Sequence, residues 1–185
     1  MDRDEAVTRL VDVFRQYGYE GASIPKLSQA AGLGKSSLYH HFPGGKAEMA
    51  TAVLDYLGRG LAANILAPLQ AAGTPRDRLR AMASRVDRFY QQGQQACLLA
   101  LLSLGEASTQ FQPQVRQIFI TWIDALATVA IEAGVEPAIA QRRAEDAVLQ
   151  IQGAIILAHG LGETTAFARI LAQLPESLLS PEESA

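Results

Sequence analysis

Four residues, Gly32 to Lys35, separate two short apolar-periodic stretches, SIPKLSQAA and SSLYHHF, and no other feature restricts the fold of this chain so tightly. Upstream, Ala6, Leu10, Val13, Phe14 and Tyr17 fall on one stripe of a first helix, which Gly18 and Gly21 close. A second helix starts at Ser23, a good N-cap residue, with Pro25 tolerated in its first turn, and stops at Gly32. The third runs from Lys35 to Phe42 and ends at Pro43-Gly44-Gly45. Three short helices with such a break between the second and third are the pattern of a helix-turn-helix, whose later helix enters a DNA major groove.

Placing Lys35 to Phe42 on a helical wheel brings Leu38 and Phe42 together, so these two should anchor the helix onto Leu10, Phe14 and Leu27. Ser36, Ser37 and His40 then face outward, where hydroxyls and an imidazole can read base edges. Lys35 and Tyr39 lie on the flank, where a phosphate backbone would pass. Lys46 opens a fourth helix, whose first N–H groups and positive dipole end also suit a phosphate. Between Ile24 and Ala47 there are three lysines and no acidic residue, so this segment can bind DNA although the whole chain carries a net charge of -3.

The rest of the chain reads as helix nearly throughout, because apolar residues recur at spacings of three and four and no alternating strand pattern appears. A long helix is expected from Lys46 to about Ala72, bent or ended near Pro68. Others follow at Pro75 to Gln92, Ala96 to Ala107, Pro113 to Ala133, Pro137 to Gly162 and Thr165 to Leu174, about nine in all, with a frayed tail over 179–185. The 49% share of apolar residues supports a buried core, and no apolar run approaches the ~18 residues that span a bilayer. The N-terminus lacks a secretory signal, so a soluble cytoplasmic protein without membrane partners is expected.

SIPKLSQAAGLGKSSLYHHFPGGKAEM closely resembles the helix-turn-helix of TetR-family transcriptional regulators, usually T-x-x-x-I-A-x-x-A-G-V-S-K-G-T-L-Y-x-H-F followed by a short turn and a lysine. Ala31, Gly32, Lys35, Leu38, Tyr39, His41, Phe42 and Lys46 match outright. Leu27 stands where Ile is usual. Ser23 replaces the usual Thr and joins Lys35, Ser36, Ser37, Tyr39, His40 and Lys46 in the expected DNA-binding set. The HFPGGK turn further resembles the LmrA- and YxaF-like branch. Three departures bear on detail: Gly34 replaces a capping Ser or Thr, Ser28 a contact Ala, and Ser36 a Gly. The resemblance implies an all-α protein with a DNA-binding domain over 1–46 and a helical ligand-binding and dimerisation domain over 47–178. Its partners would be a palindromic double-stranded operator, a second copy of the chain and a small effector, and its action most often repression.

For the second domain, Ala147, Ile151, Ala154 and Ala158 form a small-residue stripe that permits close helix packing. Phe167, Ile170, Leu171 and Leu174 follow on the last helix, and pairing both faces with a twofold copy would give a four-helix interface. Burial of both faces inside one subunit is the competing expectation. Phe89, Tyr90, Phe119, Trp122, Ile123 and Leu126, with Gln152 as a polar orienting group, lie on the middle helices that line the family's pocket. Ordinary core packing is the alternative for each, and Trp122 is the best single candidate because its N–H needs a partner when buried. Few ionised residues occur across Cys97 to Trp122, which implies an apolar or aromatic effector.

No metal or other cofactor is expected. His40 and His41 are adjacent, so on a helix they point about 100° apart and cannot chelate one ion together. His159 reads as a core or interface histidine, and Cys97 as a small buried hydrophobe without nearby positive charge. The arginines between Arg76 and Arg88 interleave with Asp77 and Asp87 as on a solvated helix face. An enzyme would need acid-base pairs that this chain does not offer, while a protein-binding helical adaptor would leave the acid-free third helix without a role.

Overall fold

The computed structural model describes residues 2–105 and 108–180. Within them the protein is all-α, with nine α-helices and no strand. These are α1 (Arg3–Gly21), α2 (Ile24–Ala31), α3 (Lys35–His41), α4 (Gly45–Gly60), α5 (Pro75–Phe89), α6 (Leu98–Leu102), α7 (Ser108–Glu132), α8 (Pro137–Leu161) and α9 (Thr165–Leu179).

The chain divides into two compact units, Met1–Gly60 with Cys97–Gln117, and Leu61–Ala96 with Ile118–Ala185. All of α4 therefore belongs with the first three helices, and the boundary expected at residue 46 falls inside the first unit. In that unit α1 packs against α2, α4 and α6, and α2 against α3. Its core includes Ala6, Leu10, Phe14, Leu27, Leu38, Phe42 and Met49, all fully buried. α1 is kinked at Gly18 (φ 64°, ψ -174°), a backbone conformation that only glycine adopts readily. In the second unit α9 packs against α8 and α5, and α5 also packs on residues 61–70.

Several boundaries differ from the periodicity. The helix expected to reach Ala72 leaves α geometry after Gly60, passing through a π-helical stretch, Leu61–Leu66, and a 3-10 turn, Ala67–Gln70. The wider π turn keeps Leu61, Ile65 and Leu66 buried, and Pro68, which cannot continue an α-helix, is housed in the tighter turn. α6 is shorter than expected, and Glu106 and Ala107 lie outside the described residues. α7 begins before Pro113 instead of at it; the bond this proline cannot make would go to the carbonyl of Thr109, an exposed residue that water can serve. α9 continues through Pro175 to Leu179, so the frayed tail expected over 179–185 is helical at its first residue, and Pro181 to Ala185 lie outside the described residues.

Candidate nucleic-acid interface

The turn between α2 and α3 is built from backbone geometry. Gly32 takes the left-handed conformation (φ 66°, ψ 26°) that closes α2, giving its N–H to the Gln29 carbonyl. Leu33 N–H reaches the Ser28 carbonyl at 3.1 Å, and the Ser28 hydroxyl donates back to the Leu33 carbonyl. The serine that replaces the family's usual alanine thus ties the turn shut. Gly34 precedes α3 without any side-chain cap, as its identity requires.

Two arginines of α1 then hold the C-terminal ends of α2 and α3, where carbonyls lack helical partners and the dipole favours a cation. Arg9 Nη1 donates to the Ala31 carbonyl at 3.3 Å. Arg3 donates from Nε to the His41 carbonyl at 3.4 Å, pairs through Nη2 with Glu48 at 3.1 Å, and sits 5.0 Å from the centre of the Phe42 ring. Periodicity does not reveal these arginines as anchors, since both lie on the polar side of α1.

With Leu38 and Phe42 buried, α3 turns Lys35, Ser36, Ser37, Tyr39 and His40 to solvent. The polar atoms of Lys35, Ser36, Ser37 and His40 make no hydrogen bond to the described residues, so a duplex would find them free. Tyr39 is 38% exposed and leans over the turn into α4, where a Cβ on Gly45 would lie 3.5 Å from its ring. His40 and His41 meet edge to face at 5.8 Å.

Two expectations are corrected here, the outward Lys46 and the capping Ser23. Lys46 does not point outward: its ammonium donates to the Tyr19 carbonyl at 2.9 Å and lies 4.3 Å from that ring's centre. Lys26 behaves likewise, bonding the Gly21 carbonyl at 3.1 Å beneath Tyr17. Where α4 starts, Glu48 Oε2 accepts the Gly44 N–H at 2.8 Å and the Phe42 carbonyl accepts the Gly45 N–H at 2.9 Å. Ser23 is exposed at the start of α2, but its hydroxyl makes no capping bond. Burial, assisted by the neighbouring Glu20 carboxylate, raises the Tyr19 phenol above its ordinary pKa.

The comparisons with known proteins agree with this geometry. Residues 9–53 match the model of the bacterial regulatory proteins of the tetR family. Residues 67–173 match the C-terminal domain of LmrA/YxaF-like transcriptional regulators. The chain belongs to the TetR family. It is a DNA-binding transcriptional regulator of the LmrA/YxaF-like branch. Among its relatives is an uncharacterized HTH-type transcriptional regulator of Mycobacterium tuberculosis, Rv0196, 27% identical over 98% of this chain and 97% of the relative. The HTH-type transcriptional regulator LmrA of Bacillus subtilis is 21% identical over 95% and 96%. A TetR transcriptional regulator from Legionella pneumophila shares the fold with a TM-score of 0.83 at 17% identity, covering 96% of this chain and 97% of that one.

In the second unit of this TetR-family regulator, the expected effector and dimer residues are rearranged. Tyr90 is buried and meets Phe89 edge to face at 5.0 Å and Phe167 at 6.3 Å, so an expected dimer residue packs on an expected effector residue. Gly93 follows closely, and a Cβ there would lie 3.0 Å from the Phe167 ring. Trp122 and Leu126 are fully buried, while Phe119 and Ile123 are half-buried. The Trp122 Nε1 and both amide atoms of Gln152 are buried without a partner. Clefts of about 380 Å³ beside Glu136 and Arg143 and about 490 Å³ beside Arg80 and Asp87 are lined by none of the expected effector residues.

Of the residues expected between subunits, Ala147, Ile151, Ala154, Ala158, Phe167, Leu171 and Leu174 are buried within the chain, and Ile170 is half-buried. The small-residue stripe faces inward, consistent with the close packing of α8 on α9. Large apolar side chains lie on the other side of α8 instead, with Leu149 70%, Ile156 65%, Leu157 52% and Leu161 69% exposed. The signal was available, since α8 is apolar nearly all round and both of its faces need cover.

Proposed function

We propose that the chain is a homodimeric repressor that releases a palindromic operator when a small apolar or aromatic effector enters its second unit. The observation that carries the DNA part is α3 itself: Leu38 and Phe42 buried beneath it, and Ser36, Ser37 and His40 unpaired on its outer face. In the dimer the two α3 helices lie in successive major grooves, their centres about 34–36 Å apart. Ser36, Ser37 and His40 read bases, and Lys35 and Tyr39 meet phosphates. Ser23, exposed at the head of α2, adds a hydroxyl to that phosphate line.

The exposed α8 face is the natural twofold contact, because Leu149, Ile156, Leu157 and Leu161 leave an apolar surface that water disfavours. The effector is taken up among the middle helices by Phe89, Tyr90, Phe119, Trp122, Ile123, Leu126 and Gln152. The chain passes directly from α4 into the second unit at Leu61, so a shift of residues 61–70 is transmitted to α4 along the backbone. A coupling of about 1–3 kcal/mol between effector and operator suffices, and it acts in both directions. Among the described residues no helix is long and apolar enough to cross a membrane, which suits work in the cytoplasm beside the chromosome.

Selection of duplexes from a random pool, followed by binding at graded salt, tests this reading. It should return a palindrome with half-sites about one helical turn apart. His40→Ala should change the selected sequence, whereas Lys35→Ala should weaken all sequences alike. Absence of duplex binding at low salt would exclude operator recognition.

A further inference from the structure

The chain crosses between its two units three times, and the crossings differ in local structure. Between Gly60 and Leu61, α4 gives way to the π-helical stretch. Between Ala96 and Cys97 the backbone is irregular, after the turn Gln91–Gly93 and before α6 begins at Leu98. The third crossing, between Gln117 and Ile118, lies inside α7, which is α-helical from Ser108 to Glu132. A displacement can be absorbed at the first two, where the hydrogen-bond ladder changes type or stops, whereas bending α7 at Gln117 would break the bonds of an intact ladder. The bond that Pro113 cannot make lies on the first unit's side of the crossing.

The first unit grips the start of this helix through two contacts of different kinds. Phe111 is fully buried and meets the Tyr19 ring edge to face at 5.0 Å. Tyr19 in turn stacks on Phe14 at 6.3 Å and takes the Lys46 ammonium on both its carbonyl and its ring. Lys46 stands in the first turn of α4, just past the end of α3, so these contacts run from α7 to the foot of the reading helix. Further along α7, Gln114 Nε2 donates to Asp55 Oδ1 of α4 at 2.8 Å. In the second unit the same helix buries Trp122, Leu126, Val129 and Ala130, so each unit holds its own part of α7.

We propose that α7 is a second and stiffer link between the DNA-reading unit and the second unit, beside the one through α4, and that Phe111 and Gln114 are the positioning residues that fasten it. Occupancy of the operator then steadies the second unit through α7. By reciprocity, whatever the second unit binds acts on the reading helix through the same element. The link needs no effector, so it stands or falls apart from the effector reading.

The test uses the full chain and the duplex selected from the random pool. Amide hydrogen exchange is followed by mass spectrometry with and without duplex, because a helix held more firmly opens and exchanges more slowly. The duplex should slow exchange over 118–132 by at least about fivefold in the parent. Phe111→Leu removes the ring edge but keeps an apolar side chain, and Gln114→Glu sets a carboxylate against Asp55. Both should bind the duplex within about threefold of the parent and lose that slowing. The swapped pair Gln114→Glu/Asp55→Asn renews the bond with donor and acceptor exchanged, and should restore the slowing. A merely structural role would raise exchange equally with and without duplex, leaving the ratio unchanged. That result, slowing in the parent confined to 61–70, or a swapped pair as silent as Gln114→Glu overturns the proposal. Loss of duplex binding in both single variants also overturns it, because Phe111 and Gln114 would then build the reading unit instead of linking it. Slowing that behaves as expected, in a chain whose duplex no small molecule releases, upholds the link and removes the effector reading.

Discussion

Lys35 and Lys46 bring the same charge to the same segment, yet only Lys35 is free to meet a phosphate without first giving up a partner. Lys35→Ala should make the dependence of log K on log salt shallower by about 0.9 for each lysine removed, with little change in stability. Lys46→Ala should instead lower the unfolding free energy by about 1 kcal/mol, read from urea denaturation, because it strips a charge-assisted bond and a cation–π contact from α1. The reverse pattern would return Lys46 to the DNA. Its inward turn was not legible from spacing, because it depends on the kink at Gly18: the helical path breaks before Tyr19 and Gly21, so their carbonyls receive Lys46 and Lys26. By contrast, Leu38 and Phe42 were legible, since a wheel alone puts them on one face. Tyr19 supplies a pH test. Its folded-state pKa lies above the unfolded value of about 10, so the folded form holds the proton longer. The associated stability is full below that value and is lost as pH rises through the raised pKa. Tyr19→Phe should flatten the fall in urea midpoint as pH rises above about 10.

Helix ends, more than helix interiors, decide how α3 is presented. Gly32→Ala puts a Cβ into a left-handed backbone position at φ 66° and 3.2 Å from Arg9 Nη1, the group that holds the α2 terminus. It should cost about 1–2 kcal/mol in urea denaturation, with Gly32→Asn less damaging because asparagine tolerates that conformation better. Gly93→Ala should cost more than Gly32→Ala, because at φ 88° its Cβ would stand 3.0 Å from ring atoms of the buried Phe167, which cannot swing aside as an arginine can. Equal costs at the two sites would show that the Phe167 packing yields. At this scale the sequence was read well where breaks are local: Gly32, Pro43 and Pro137 mark real boundaries. It was read poorly where a helix runs through a proline, exposed at Pro113 in α7 and buried at Pro175 in α9, or where a helix changes type without a break, as at Leu61.

For the whole molecule, the question is which side of α8 meets a second copy. A stripe of small residues signals close helix approach but not whose helix approaches; here α9 of the same chain packs on α8 and the stripe is buried, leaving the bulkier Leu149, Ile156, Leu157 and Leu161 outside. A twofold contact presents every substitution to its own copy, so the double variant Leu149→Glu/Ile156→Glu places four carboxylates in one apolar interface. Sedimentation should find it monomeric, with a circular dichroism spectrum like that of the parent, since both side chains are mostly solvent-exposed in the single chain. Operator affinity should then fall by about 10²–10⁴, because two half-sites are no longer bound by linked heads. Ala154→Glu separates the two faces of the helix. At 4% exposure this position has no room for a carboxylate, so the variant should unfold at lower urea instead of dissociating cleanly. A glutamate pair at 149 and 156 that still sediments as a dimer would move the twofold contact off this face of α8.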